Sequence, residues 1–173
     1  LTSGSTGLPK AVVHNVQAHL ANAQGVCDLM QFGAADSWLL SLPLYHVSGQ
    51  GIVWRWLTTG ATLVLPGEDF YAAVNQVSHV SLVPTQVQRW LQYLQEKTTT
   101  RQTRAVLLGG AHIPLALTQS LHRLGVKSYS GYGMTEMAST VFAKQSDEKN
   151  GVGQPLAGRE YCLHNEEIWL RGA

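Results

Sequence analysis

Two stretches of the sequence have residue types and spacing suited to chemistry. The first is Thr2-Ser3-Gly4-Ser5-Thr6-Gly7-Leu8-Pro9-Lys10, which gathers four hydroxyls, two glycines and a lysine. Glycines let backbone N–H groups approach an anion closely, hydroxyls add donors, and a lysine adds a mobile positive charge. The combination suits a triphosphate; a plain Ser/Gly turn is the alternative. It is not a Walker A loop: counting from Gly4, the second glycine of that motif would fall on Pro9. Lys10 is followed by Ala11, which cannot ligate magnesium. The second stretch is marked by scarcity. The 31 residues between Asp36 and Glu68 carry one charge, Arg55, within Gly51-Ile52-Val53-Trp54-Arg55-Trp56-Leu57. A charge in such apolar and aromatic company needs a partner, and no acid nearby in sequence supplies one. Either its head reaches water or a distant carboxylate, or its planar fork clamps the carboxylate of a ligand.

These residues must be held by elements that Gly and Pro punctuate. Residues 1–2 read as a strand end, 3–9 as a loop and 10–30 as a helix. Strands are expected at 38–42, 61–65, 80–83, 105–108 and 126–129. A buried helical turn is expected at 50–57, with helices at 69–77, 84–96 and 114–124. Pro84 and Pro114 open two of these and Gly125 caps the last. After Gly131 the pattern changes to short β segments around Val141, residues 161–163 and residues 168–170. This alternation predicts an α/β fold, a layered, largely parallel sheet with flanking helices, followed by short β segments.

Composition narrows the function classes. The 12 Lys+Arg and 11 Asp+Glu give a net charge of +1, which argues against a basic nucleic-acid surface. Charged residues make up only 13% and hydrophobic ones 45%, so there is a core to bury and wholesale disorder is excluded. No apolar run reaches the ~18 residues of a membrane-spanning helix. Cys27 and Cys162 lie too far apart for a CxxC site, and His14, His19, His79, His112, His122 and His164 show no metal spacing. A reducing, cytoplasmic setting is the expectation. The chain opens at Leu1 without a Met and closes on a strand-like run to Ala173. With so little surface charge, it reads as the middle of a larger protein.

The first string closely resembles the phosphate loop of the adenylate-forming superfamily, which includes acyl-CoA synthetases, luciferase and adenylation domains. Its one departure is Ala11 where that family usually has Gly. Three further matches follow in the family's order: Leu42-Pro43-Leu44-Tyr45-His46-Val47-Ser48-Gly49, Gly109-Gly110-Ala111, and Gly131-Tyr132-Gly133-Met134-Thr135-Glu136. The resemblance implies that Thr2, Ser3, Gly4, Ser5, Thr6, Gly7 and Lys10 hold the β- and γ-phosphates of ATP. It places Gly109, Gly110, Ala111, Gly131 and Gly133 beside the adenine and the acid. Tyr132 would pack on the adenine, Thr135 contact the α-phosphate, and Glu136 help hold Mg2+. Each role is chemically reasonable alone. A tyrosine offers a flat face to a purine, a threonine can donate to a phosphoryl oxygen, and Glu136 is a hard oxygen ligand suited to Mg2+. His46 either positions the acid, gates the acyl tunnel or is simply packed; Ser48 either donates to the substrate or is a turn residue.

The wording around residues 42–51, 81–86 and 107–111 resembles the o-succinylbenzoate–CoA ligases within that superfamily, and residues 167–172 resemble the family's Gly-Glu-Leu-x-x-Arg-Gly strand with Glu166 in the Gly place. The implied substrate has two carboxylates, one activated and one left charged, and Arg55 would meet the second. Catalytic roles fall on Thr135, Glu136, Lys10 and His46, and substrate contacts on His46, Ser48, Arg55, Gly110 and Gly133. ATP, Mg2+ and coenzyme A are the implied cofactors and co-substrate, and self-association is left open. Residues 1–158 would be the central α/β subdomain and 159–173 the start of a following β subdomain. The N-terminal subdomain, the ribose-binding aspartate and the C-terminal lid with its catalytic lysine would lie outside the chain, so the chain alone is expected to be inactive. The alternatives are another aryl- or fatty-acid–CoA ligase, a silent nucleotide-binding module, or a P-loop NTPase.

Overall fold

In chain order the elements are α1 (Val16–Met30), β1 (Ser37–Leu39), α2 (Val47–Thr59), β2 (Thr62–Val64) and α3 (Phe70–Asn75). Next come β3 (His79–Leu82), α4 (Pro84–Glu96), β4 (Ala105–Leu108), α5 (Leu115–Arg123) and β5 (Lys127–Met134). A 3-10 turn at Thr135–Met137 leads to β6 (Ser139–Gln145), β7 (Gln154–Pro155), β8 (Arg159–His164) and β9 (Glu167–Gly172). They come from a computed structural model that describes residues 7–97 and 99–172.

Seven strands form one sheet in the order β2-β1-β3-β4-β5-β6-β7, while β8 and β9 pair as a separate antiparallel hairpin. The first five strands are mutually parallel, and β6 and β7 join antiparallel. The expected layered α/β sheet is therefore what forms. The alternation of side chains along each strand splits the core in two. On one face Trp38, Ala105, Leu107 and Tyr129 pack against Val26, Cys27 and Met30 of α1 and Ile52 of α2. On the other, Leu39, Val80, Leu82, Val106 and Leu108 pack against α3, α4 and α5 through Val74, Trp90 and Leu121.

The strand order positions the site. From β1 the chain moves outward to β2, then returns across β1 to lay down β3, with its later helices on the opposite face. Neighbouring loops therefore diverge at the carboxyl ends of β1 and β3 and leave a crevice there, the place where open α/β sheets bind ligands.

Three expectations need correction. The helix expected over residues 10–30 begins only at Val16, because the Asn15 side chain accepts from the Ala18 N–H at 2.7 Å and caps it there. The preceding Val12 and Val13 are β-branched and disfavour helix. The expected helical turn at 50–57 is a 13-residue helix. The strand expected to end at 129 continues to Met134, because β6 folds back and pairs with it through a bulge at Tyr132/Gly133.

Candidate functional site

A cleft of about 540 Å³ occupies the predicted crevice. The segment after β1 supplies Leu42, His46 and Ser48; β3 and its exit supply Ser81, Val83 and Gln86. Gly109 and Gly110 follow β4, and Gly131, Gly133 and Thr135 come from β5 and the turn beyond it. A second cleft, about 710 Å³, adjoins it and is lined by Ala111, Ser130, Tyr132 and the loop at residues 146–152. Gly110, Gly131 and Gly133 border both, so a ligand lying across these glycines reaches both spaces.

Backbone packing explains the glycines. A Cβ on Gly133 would lie 2.0 Å from the Ser139 carbonyl oxygen, so only glycine lets β5 pass the start of β6. Gly110 turns away from β4 with φ +82°. Ala138 and Ser139 also take positive φ, 54° and 109°. Backbone strain of this kind concentrates at binding sites.

Arg55 lines the cleft. It projects from the inward face of α2, is 1% exposed, and makes no ion pair among the described residues. Its guanidinium carbon lies 4.2 Å from the centroid of the Trp38 ring, and Nη2 donates to Ser81 Oγ at 3.4 Å. Its Nε is buried without a partner. Burial pulls the guanidinium down from its ordinary value to about 10, which still leaves it charged at neutral pH. Of the two sequence readings, the snorkelling or distantly paired arginine is excluded among the described residues. What remains is a fixed cation facing a cavity.

The other expected residues divide. His46 stands at the N-cap of α2, exposed, with its ring 4.6 Å from that of Tyr45. Ser48 is half-buried on the first turn of that helix. Thr135 opens the 3-10 turn at the cleft, and Glu136 beside it is exposed with no ion pair among the described residues. Gly7, Lys10 and Glu136 line neither cleft. Thr2, Ser3, Gly4, Ser5 and Thr6 lie outside the described residues. Among those residues no three His, Cys, Asp or Glu side chains cluster as a metal site. A lone exposed carboxylate fits Mg2+ bound jointly with phosphates, since that ion keeps most of its water and takes one or two protein carboxylates.

Sequence reasoning missed Ser81, Gln86 and Trp38. The signal for Ser81 was available: in His79-Val80-Ser81-Leu82 the alternation puts His79 and Ser81 on one face, where two polar residues in a buried strand need partners. His79 finds the Ser78 hydroxyl at 2.8 Å and the Met30 carbonyl at 3.3 Å. Ser81 Oγ receives the Trp38 Nε1–H at 3.2 Å as well as Arg55.

A family model described as AMP-binding enzyme matches residues 1–169. The chain belongs to that family. Among its relatives is a 2-succinylbenzoate–CoA ligase of Haemophilus influenzae, 71% identical over the whole of this chain and 38% of its own length. An Escherichia coli MenE with bound OSB-AMS superposes with TM-score 0.90 at 51% identity, covering 98% of this chain and 38% of its own. The o-succinylbenzoate coenzyme A synthetase of Bacillus subtilis, solved with ATP and magnesium ion, superposes with TM-score 0.83 at 30% identity, over 99% of this chain and 40% of its own. The chain thus spans about two-fifths of the length of the family members it matches. Among the described residues, no helix is long and apolar enough to cross a membrane.

Proposed function

We propose that the whole protein is an AMP-forming ligase that activates o-succinylbenzoate and transfers it to coenzyme A, in menaquinone biosynthesis. The observation that carries this reading is Arg55: a buried cation without an acid partner among the described residues, lining the same cleft as Gly109, Gly110, Gly131 and Gly133. A monoacid whose one carboxylate is presented to the nucleotide leaves such a cation nothing to bind. A diacid gives it a carboxylate while the other end reaches the nucleotide.

The reaction has two steps. The aliphatic carboxylate of the substrate attacks the α-phosphorus of ATP, forming acyl-AMP and releasing pyrophosphate. The thiolate of coenzyme A then attacks the acyl carbon, and AMP leaves. The first step needs placement and charge stabilisation more than proton transfer. Arg55 fixes the aromatic carboxylate, and His46 and Ser48 flank the acid. Gly109, Gly110, Gly131 and Gly133 let the backbone approach, Tyr132 and Ala111 border the purine, and Thr135 donates to the α-phosphate. The loop from Thr2 to Gly7 and Lys10 hold the outer phosphates. Glu136 would hold Mg2+, which when bound offsets phosphate charge. Residues 159–173 read as the start of a following β subdomain. The free thiols of Cys27 and Cys162 suit a cytoplasmic setting.

The test is carboxylate-dependent ATP–pyrophosphate exchange on the whole protein, with o-succinylbenzoate against coumarate, benzoate and a fatty acid. Exchange with o-succinylbenzoate alone is the expected result. Exchange with another acid instead would move the protein to a different acid–CoA ligase, and ATP binding without exchange would make it a silent nucleotide-binding module.

A further inference from the structure

We propose that Trp38, which does not line the cleft, is the positioning residue that holds the Arg55 guanidinium aimed into it, and so sets the preference for acids with a second carboxylate. This rests on the reading that Arg55 receives that carboxylate.

A lone guanidinium removed from water needs compensation from its surroundings. Here the compensation is not a carboxylate, which would also occupy the fork that a substrate needs. It is the face of an indole, whose quadrupole attracts a cation most when both are desolvated. Trp38 is fully buried, and Arg55 nearly so. The ring is itself fixed on several sides. His79 stacks on it at 5.4 Å and 28°, the Phe32 ring meets it edge-on at 4.9 Å, and its Nε1–H is tied to Ser81 Oγ. That same oxygen accepts from Arg55 Nη2, so the indole and the guanidinium share one anchor. On its own helix the arginine head lies back over the preceding turn, as helical side chains do. It lies beside Gly51, where a Cβ would sit 3.4 Å from Nη1, in ordinary contact. Ring and hydroxyl together define where the guanidinium sits while leaving its polar edges without an anionic partner among the described residues. An aromatic floor therefore keeps the cation in place without neutralising it.

The experiment compares Trp38→Leu and Trp38→Phe in the whole protein. Phenylalanine keeps an aromatic face and loses the Nε1–H; leucine loses both. In ATP–pyrophosphate exchange, Trp38→Leu is expected to raise the KM for o-succinylbenzoate about tenfold. The KM for ATP and kcat should stay within about twofold, and Trp38→Phe should recover most of the loss. An unchanged KM in Trp38→Leu, a Phe variant as impaired as the Leu variant, or a parallel loss in kcat and ATP affinity would each overturn the proposal.

A second readout does not depend on the substrate. In 15N-arginine-labelled protein, with the Arg55 signals assigned through Arg55→Lys, the guanidinium protons should be shifted upfield by the indole ring current. The shift should persist in Trp38→Phe and vanish in Trp38→Leu. Its absence from the wild-type protein overturns the ring–cation pair whatever the substrate is. Its presence, together with no exchange on o-succinylbenzoate, overturns the functional reading and keeps the pair.

Discussion

The two faces of the sheet are built from the same strands and serve different ends. On the side of α3, α4 and α5 the inward side chains are apolar without exception along β3 and β4: Val80, Leu82, Val106 and Leu108. On the side of α1 and α2, the residue before each of these along β3 is polar, His79 before Val80 and Ser81 before Leu82, and the facing helix adds Arg55. The first face is a seal. The second holds a charge, two hydrogen-bonding side chains and an aromatic stack, and it opens onto the cleft. One sheet can carry both because strand alternation isolates the faces: polar groups cost free energy on one side without disturbing packing on the other.

Substitutions on the two sides should therefore differ in kind. The largest effect belongs to the sealed face. Trp90 is fully buried and donates to Asn75 Oδ1 at 2.8 Å. Trp90→Ala should destabilise the fold by about 3–5 kcal/mol, read as a lowered urea midpoint at unchanged slope. Arg55→Leu should do the opposite. Removing a buried charge that has no ion-pair partner among the described residues leaves stability unchanged or raised, while the KM for o-succinylbenzoate in the whole protein rises on the order of 100-fold. The KM for ATP should be spared, and an equal loss in ATP affinity would break the contrast between the faces.

Smaller effects sharpen it. Asn15→Ala removes the cap of α1 and should cost about 1 kcal/mol, with no change in substrate KM, since the cap lies away from the cleft. The smallest effect concerns pH. Burial holds His79 below its ordinary value of 6.5, with the Met30 carbonyl opposing in part. The unfolded chain therefore binds the proton more readily, and stability should fall as pH drops below 6.5. Burial and the neighbouring His14 act on His19 in the same direction. His79→Gln should flatten the slope of stability against pH between pH 7.5 and 5.5 in part, and the double variant with His19→Gln should flatten it further.

Several parts of the fold were legible in the sequence for local reasons. Helix α4 has the expected bounds because Pro84 opens it and Gln86 closes the turn by accepting the Val83 N–H at 2.9 Å. Strand β4 is a short apolar run that ends at Gly109-Gly110, and it too has the expected bounds. Helix α1 was misjudged at its start because Lys10 and Ala11 favour helix ahead of the Asn15 cap, which starts it only at Val16. Arg55 was legible through scarcity: one charge in a long apolar window must have a purpose. Gly109, Gly110, Gly131, Gly133 and Thr135 do meet at one cleft, whereas Gly7, Lys10 and Glu136 line neither cleft among the described residues.

The sequence by itself determined the alternation of strand and helix, the glycines at the end of β4 and within β5, and the presence of one isolated cation, Arg55, in a long apolar window. These are local properties, set by hydrophobic period, turn chemistry and charge density. Only the tertiary structure decided that β3 returns beside β1, which opens the crevice, and that the cation rests on an indole rather than a carboxylate. Trp38 and Ser81 are 43 residues apart, and Arg55 stands 26 from Ser81. No periodicity links positions so far apart. Parallel strands become neighbours through crossovers whose order is fixed by packing of the whole domain, and the partners of a buried side chain follow from that order.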